Sequence, residues 1–237
     1  MACDPALIAF ASREAMAERL ADVIEAVLAR ALAERGSAAL AVSGGRAPAG
    51  LYGALSRRRL DWGHVSAVLV DERWVPPGVE GSNETFVHGS LARNEATGLN
   101  LIGLWSNAPS PAVGLPAAAA RLSRIAESFD AVVLGMGVDG HTASWFPHAA
   151  GLSEALREEG VRLAAVKARP SAVAGAHLER ITLTLDALKD ARFICLLMNG
   201  AEKRATFEKA LKEGPVEAMP VRAILKARPD LWASWAP

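Results

Sequence analysis

Two cysteines, Cys3 and Cys195, in 237 residues cannot build a disulfide framework. Cys195 sits in the apolar run 193–198, so a buried, reduced thiol is expected, as suits a cytoplasmic protein. An excess of either charge is also missing, since 26 Lys and Arg offset 26 Asp and Glu. No overall field then draws the chain to nucleic acid or to an anionic membrane, although a local basic cluster can still hold a small anion. No window approaches the ~18 uninterrupted apolar residues that a membrane span requires. The N-terminus carries Asp4, Arg13 and Glu14 in place of a basic segment and an apolar core, so it does not read as a signal peptide. Histidines number only five, and His141 and His148 stand seven apart, which is not ligand spacing on one helical face. What is present is a chain 51% hydrophobic and 22% charged, read as one domain over residues 1–237.

Along that chain, residues 12–35 place Met16, Leu20, Val23, Ile24, Val27, Leu28, Ala31 and Leu32 at three- and four-residue steps. Ser12 is positioned as an N-cap and Gly36 as a stop, which predicts an amphipathic helix. Apolar strands are expected at 38–42, 65–70, 129–134, 161–166, 181–185 and 193–198, the first strand beginning near Ala38. Helices are expected at 49–58, opened by Pro48, and at 202–211. The stretches 75–83 and 107–116, rich in proline and glycine, read as loops. Short, nearly uninterrupted apolar strands separated by helices predict a Rossmann-like, three-layer α/β fold whose mostly parallel sheet is flanked by helices. In such sheets ligands bind beyond the carboxyl ends of the strands. Ser43-Gly44-Gly45, Asp71-Glu72-Arg73, Asp139-Gly140-His141 and Asn199-Gly200 each follow an apolar strand directly, so four segments are expected to face one crevice.

The chemistry of each segment follows from its residue types. Gly44 and Gly45 let a strand-to-helix turn aim N–H groups at an anion, and Arg46 adds a fork of donors; the plain alternative is an ordinary turn. This is not a Walker A loop, because no Gly-Lys-Ser/Thr closes it. Asp71, Glu72 and Arg73 supply carboxylates for orienting a histidine or binding hydroxyls and a cation for an anion or oxyanion, or else form a surface ion-pair cluster. Ser82 and Asn83 lie in the loop that follows. Within 129–147, FDAVVLGMGVDGHTASWFP, His141 is the strongest acid-base candidate. Gly135, Gly137 and Gly140 also match the dinucleotide fingerprint letter for letter. That reading is weakened by Glu158 and Glu159, which precede a strand where the fingerprint needs an acid at a strand end, and by Pro147. Ser144 lacks the nucleophile elbow of a serine hydrolase. Arg180 and Lys203 are cations able to reach the same anion, or solvated surface charges.

These blocks, in order, resemble the glucosamine-6-phosphate isomerase/6-phosphogluconolactonase family over nearly the whole chain. The carriers are Val42-Ser43-Gly44-Gly45, Asp71-Glu72-Arg73-Trp74-Val75-Pro76 with Ser82-Asn83, Leu134 to Pro147, Arg180-Ile181-Thr182-Leu183-Thr184 and Gly200-Ala201-Glu202-Lys203. The resemblance implies a fold of the NagB/RpiA/CoA transferase-like class and hydrolysis of 6-phospho-D-glucono-1,5-lactone, a carboxylic ester hydrolase step of the pentose phosphate pathway. It implies His141 as general base on water, with Asp71 or Asp139 fixing the imidazole and Arg73 stabilising the oxyanion. Ser43, Gly44, Gly45, Arg46, Asn83, Arg180 and Lys203 would hold the sugar phosphate. No metal or cofactor is implied, and a monomer or weak homodimer is expected. Family members commonly carry threonine where this chain has Ala47, a hydroxyl for which Arg46 would compensate, and residues 225–237 lack the usual apolar-acidic ending. Aminosugar-phosphate deaminases on the same fold continue from Asp-Gly-His into Phe-Asn-Glu-Pro. This chain has Ser144-Trp145-Phe146-Pro147, with no carboxylate. Sugar-phosphate sensors of bacterial regulators carry an N-terminal DNA-binding segment, for which the residues before Ala38 leave room for one helix.

Overall fold

Helix α1 (Arg13–Arg35) forms where its capping residues place it. The Ser12 hydroxyl accepts from the Ala15 N–H at 3.1 Å, and Gly36, left-handed at φ 73°, donates its N–H to the Leu32 carbonyl. Met16, Leu20, Ile24, Leu28 and Ala31 are its buried stripe. The computed structural model describes residues 5–125, 128–157 and 159–237; Cys3, Asp4 and Glu158 lie outside them.

The main sheet holds β1 (Leu7–Ala9), β2 (Ala38–Val42), β3 (Val65–Leu69), β5 (Asn100–Ile102), β6 (Ala131–Gly135), β9 (Phe193–Asn199) and β10 (Trp232–Ala236). Their spatial order is β1-β10-β9-β6-β2-β3-β5, and every pairing is parallel. A second sheet of β4 (Asp71–Arg73), β8 (Glu179–Leu183) and β7 (Leu163–Lys167) is antiparallel. The strands expected at 161–166 and 181–185 belong there and not to the parallel sheet. The first strand is β1, not Ala38, and residues 225–237 supply β10, paired in register along β9.

Helix α1 packs on α2 (Ala49–Leu55) and against β2, β9 and β10. Helix α2 ends at Leu55, three residues short of expectation. The remaining α-helices among the described residues are α3 (Asn83–Ser90), α4 (Pro111–Leu122), α5 (Leu152–Ala155), α6 (Leu185–Lys189), α7 (Ala201–Ala210) and α8 (Val221–Ala227). Helix α4 corrects the loop expected at 107–116: Ser110 caps it, Pro111 occupies a first-turn position where no N–H is needed, and Pro116 is tolerated inside. No helix among the described residues is long and apolar enough to cross a membrane.

At the amino end of the sheet the buried Asp130 carboxylate ties three segments together. It accepts from Arg35 at 2.5 Å and from the Ala39 N–H at 2.9 Å, and it lies 3.4 Å from Arg192. At the carboxyl end, β2 has β3 on one side and β6 on the other. The chain leaves β2 for β3 and returns later to β6, so neighbouring strand ends send their loops apart. That divergence opens the crevice into which the polar segments project.

Candidate active site

Ser43 leaves β2 with its carbonyl held by the buried Tyr52 hydroxyl of α2 at 2.7 Å. Gly44 is required by proximity, since a Cβ there would stand 1.9 Å from Asn83 Oδ1. The Ser43 hydroxyl is buried without a hydrogen-bond partner. Arg46 and Ala47 follow at the rim.

Strand alternation sorts the next triplet. Asp71 and Arg73, two apart on β4, line the cleft. Glu72, between them, turns behind the strand to the N-terminus of α3. It accepts from the Arg73, Asn83 and Glu84 N–H groups at 2.7–2.8 Å and from the Ser82 hydroxyl at 3.2 Å. Burial pushes the Glu72 pKa up to about 7, with the backbone donors pulling the other way. Asp71 is itself buried; it accepts from the Ser144 hydroxyl at 2.5 Å and from Asn83 Nδ2 at 3.3 Å. Arg73 donates to the Gly81 carbonyl, and its Nε is buried without a partner.

The glycine-rich turn after β6 carries the imidazole. Gly137 donates to the His141 carbonyl at 2.9 Å and Gly140 to the Gly137 carbonyl at 3.0 Å, which closes the turn tightly. A Cβ on Gly137 would meet His141 Nδ1 at 2.2 Å and Asp139 Oδ1 at 2.6 Å, so only glycine leaves room for this pair. His141 Nδ1 lies 2.6 Å from Asp139 Oδ1, which also accepts the His141 N–H. Burial raises the Asp139 pKa, but the hydrogen bonds and charge of His141 outweigh it and hold the carboxyl below its ordinary range. Of the two carboxylates named as candidate partners of the imidazole, Asp139 makes the contact; Asp71 is engaged by Ser144 and Asn83.

One cleft of about 410 Å³ is lined by Ser43, Gly44, Gly45, Arg46, Asp71, Arg73, Asn83, His141, Arg180 and Lys203. Ten of the eleven candidate residues thus share one space, and Asp139 stands behind His141. Lys203 is half-buried in the first turn of α7, and burial lowers its pKa. Arg180, on β8, is largely committed: Nε donates to the His177 carbonyl, Nη2 to the Ala174 carbonyl, and Nη1 lies 4.0 Å from Asp71. Asn199 does not reach this cleft. It lines an adjoining hollow that shares Arg46 and Ala47, so the fourth strand-end segment contributes Lys203 instead.

A larger hollow, about 600 Å³ beside α4, is walled chiefly by apolar residues such as Leu115, Leu122 and Leu163 and holds no histidine or carboxylate. The dinucleotide reading fails locally, because residues 141–150 form turns and isolated bridges in place of a helix. No group of three or more His, Cys, Asp or Glu able to hold a metal ion occurs among the described residues. Cys195 is fully buried, with its thiol pKa pushed up to about 12 by that burial. Ser144 and Phe146 were given no role by sequence reasoning, yet one holds Asp71 and the other stacks on His141. Their place inside the block that carries His141 was the only available signal.

The chain is similar over nearly its whole length to known proteins. A family model described as glucosamine-6-phosphate isomerases/6-phosphogluconolactonase matches residues 11–233. A 6-phosphogluconolactonase of Rhizobium meliloti (strain 1021) is 40% identical over 230 residues, covering 96% of this chain and 97% of that protein. One from Pseudomonas aeruginosa is 39% identical over 221 residues, covering 93% and 90%. The crystal structure of a 6-phosphogluconolactonase from Shewanella baltica OS155 superimposes with a TM-score of 0.93 at 36% identity, covering 100% of both chains.

Proposed function

Because the chain belongs to the glucosamine-6-phosphate isomerase/6-phosphogluconolactonase family, we propose that it hydrolyses 6-phospho-D-glucono-1,5-lactone, with His141 as general base. The observation that carries the chemistry is the His141–Asp139 pair at the wall of a cation-lined cleft. Asp139 holds the Nδ1 proton, which leaves the Nε2 lone pair as the base. Nε2 takes a proton from water as the water oxygen bonds to the lactone carbonyl carbon. The electron pair of the C=O bond moves onto its oxygen, beside Arg73. Collapse of that intermediate breaks the ring C–O bond, and the imidazolium returns its proton to the departing ring oxygen. A lactone is an activated acyl group, so positioning plus one general base, worth ~10²–10⁴-fold, is sufficient chemistry.

At the other end of the substrate, the N–H groups of Gly44 and Gly45, the Ser43 hydroxyl, Arg46 and Lys203 hold the phosphate. Arg180 contributes its remaining Nη1, and Asn83 and Asp71 face the sugar hydroxyls. The unpartnered Ser43 hydroxyl and the half-buried Lys203 support this assignment, because each gains a partner when an anion arrives. The deaminase alternative is not favoured: the residue that would supply its carboxylate is Phe146. We place the enzyme in the cytoplasm as a single-domain monomer or weak homodimer with no cofactor and no nucleic-acid partner.

Turnover of the phosphorylated lactone against unphosphorylated gluconolactone tests the phosphate assignment. The phosphorylated substrate is expected to have the higher kcat/KM by about 10²-fold or more, with Lys203→Ala raising its KM. Equal rates on the two lactones would remove the phosphate site.

A further inference from the structure

The imidazole of His141 is held at an atom and on a face. Asp139 holds Nδ1, and the Phe146 ring lies against the imidazole with centroids 4.2 Å apart and planes 24° from parallel. Phe146 is 4% exposed, and the Arg180 guanidinium carbon stands 4.9 Å from the centre of the same ring. Nε2 of His141 has no hydrogen-bond partner among the described residues, and His141 lines the cleft.

A single hydrogen bond at Nδ1 leaves the ring free to rock about the Nδ1···Oδ1 line, which would tilt the ring plane and redirect the Nε2 lone pair. A flat neighbour removes that freedom. The segment bearing Phe146 is itself anchored at nearly every residue. Thr142 donates to the Gly135 carbonyl at 2.8 Å, Ser144 to Asp71, and the Trp145 indole to the Leu183 carbonyl at 2.9 Å. The ring is therefore a fixed plate, with a base on it and a cleft-lining cation beside it.

We propose that Phe146 is a positioning residue that sets the plane of the His141 imidazole, and so the direction of Nε2. This rests on His141 being the general base. It makes the aromatic face, and not apolar volume alone, the property required at position 146.

Two variants separate face from volume. Phe146→Leu keeps an apolar side chain without a flat face; Phe146→Tyr keeps the face. Phe146→Leu is expected to lower kcat about tenfold or more with KM within about twofold, and Phe146→Tyr to retain most of kcat. Wild-type kcat in the Leu variant, or equal losses in both, overturns the proposal. The His141 Hε1 resonance gives a reading independent of turnover. The stacked ring should displace it from the position of a free histidine in wild type and the Tyr variant, but not in the Leu variant. An undisplaced wild-type resonance overturns the proposal even if the Leu variant fails to fold. A wild type that displays the displacement yet does not hydrolyse the phosphorylated lactone upholds the seating of the ring and overturns the assigned reaction.

Discussion

At the scale of single residues, the site depends on where a side chain is absent as much as on where one is present. Gly137 has no left-handed backbone to demand glycine; what it supplies is space for the His141–Asp139 pair. Gly137→Ala is therefore expected to lower kcat about 10²-fold by displacing that pair, with circular dichroism and thermal midpoint near wild type. Gly89→Ala is the control: a Cβ there meets nothing within 4 Å and Gly89 does not line the cleft, so its activity should stay close to wild type. Unchanged kcat in Gly137→Ala would mean that the pair has room elsewhere. His141, Asp71 and Arg73 were legible in the sequence because each follows an apolar strand within a few residues. The choice between Asp71 and Asp139 was not, since both sit beyond strand ends, and only the tightness of the 137–141 turn decides it. The task of Ser144 depends on a contact with Asp71, 73 positions away along the chain, which no local pattern encodes.

At the scale of elements, β4 is the hinge of the site. Its alternation sends Asp71 and Arg73 to the cleft and Glu72 to the first turn of α3, where three backbone N–H groups converge on one carboxylate. A protonated Glu72 is favoured by burial, and its folded pKa of about 7 lies above the ordinary 4.5. Between those values the folded chain binds more protons than the unfolded chain, so this group's contribution to stability falls as pH rises through the window. Thermal midpoints measured from pH 5 to 8 should therefore decline more steeply in wild type than in Glu72→Gln. Parallel curves would show that Glu72 does not titrate there. Helix α1 was readable to its ends because Ser12 and Gly36 are local signals. The second sheet was not, because β7 and β8 have the apolar character of parallel strands and β4, the other partner of β8, lies far away in sequence. Strand β1, three residues long, offers too little pattern to detect, and β10, Trp-Ala-Ser-Trp-Ala, mixes its periodicity with small residues.

At the scale of the whole molecule, two sheets cooperate. The parallel sheet delivers the glycine loop after β2 and the histidine turn after β6 from adjacent strands, while the antiparallel sheet holds Asp71, Arg73 and Arg180 across the gap. The acid-base pair and the cations thus come from separate elements and meet only in the assembled fold. The parallel α/β architecture was legible from strand composition alone, whereas the shape of the cleft, with its far wall built on a second sheet, emerges only from the tertiary pairing. We propose that this convergence makes a lactone hydrolase driven by one histidine. The most direct test of that proposal follows freshly generated 6-phosphogluconolactone at mildly acidic pH, where spontaneous opening is slow, with wild type, His141→Ala and buffer alone. Wild type should exceed buffer, and His141→Ala should lose ~10²–10⁴-fold in kcat while remaining folded. A wild type no faster than buffer, or a His141→Ala variant as fast as wild type, would contradict it.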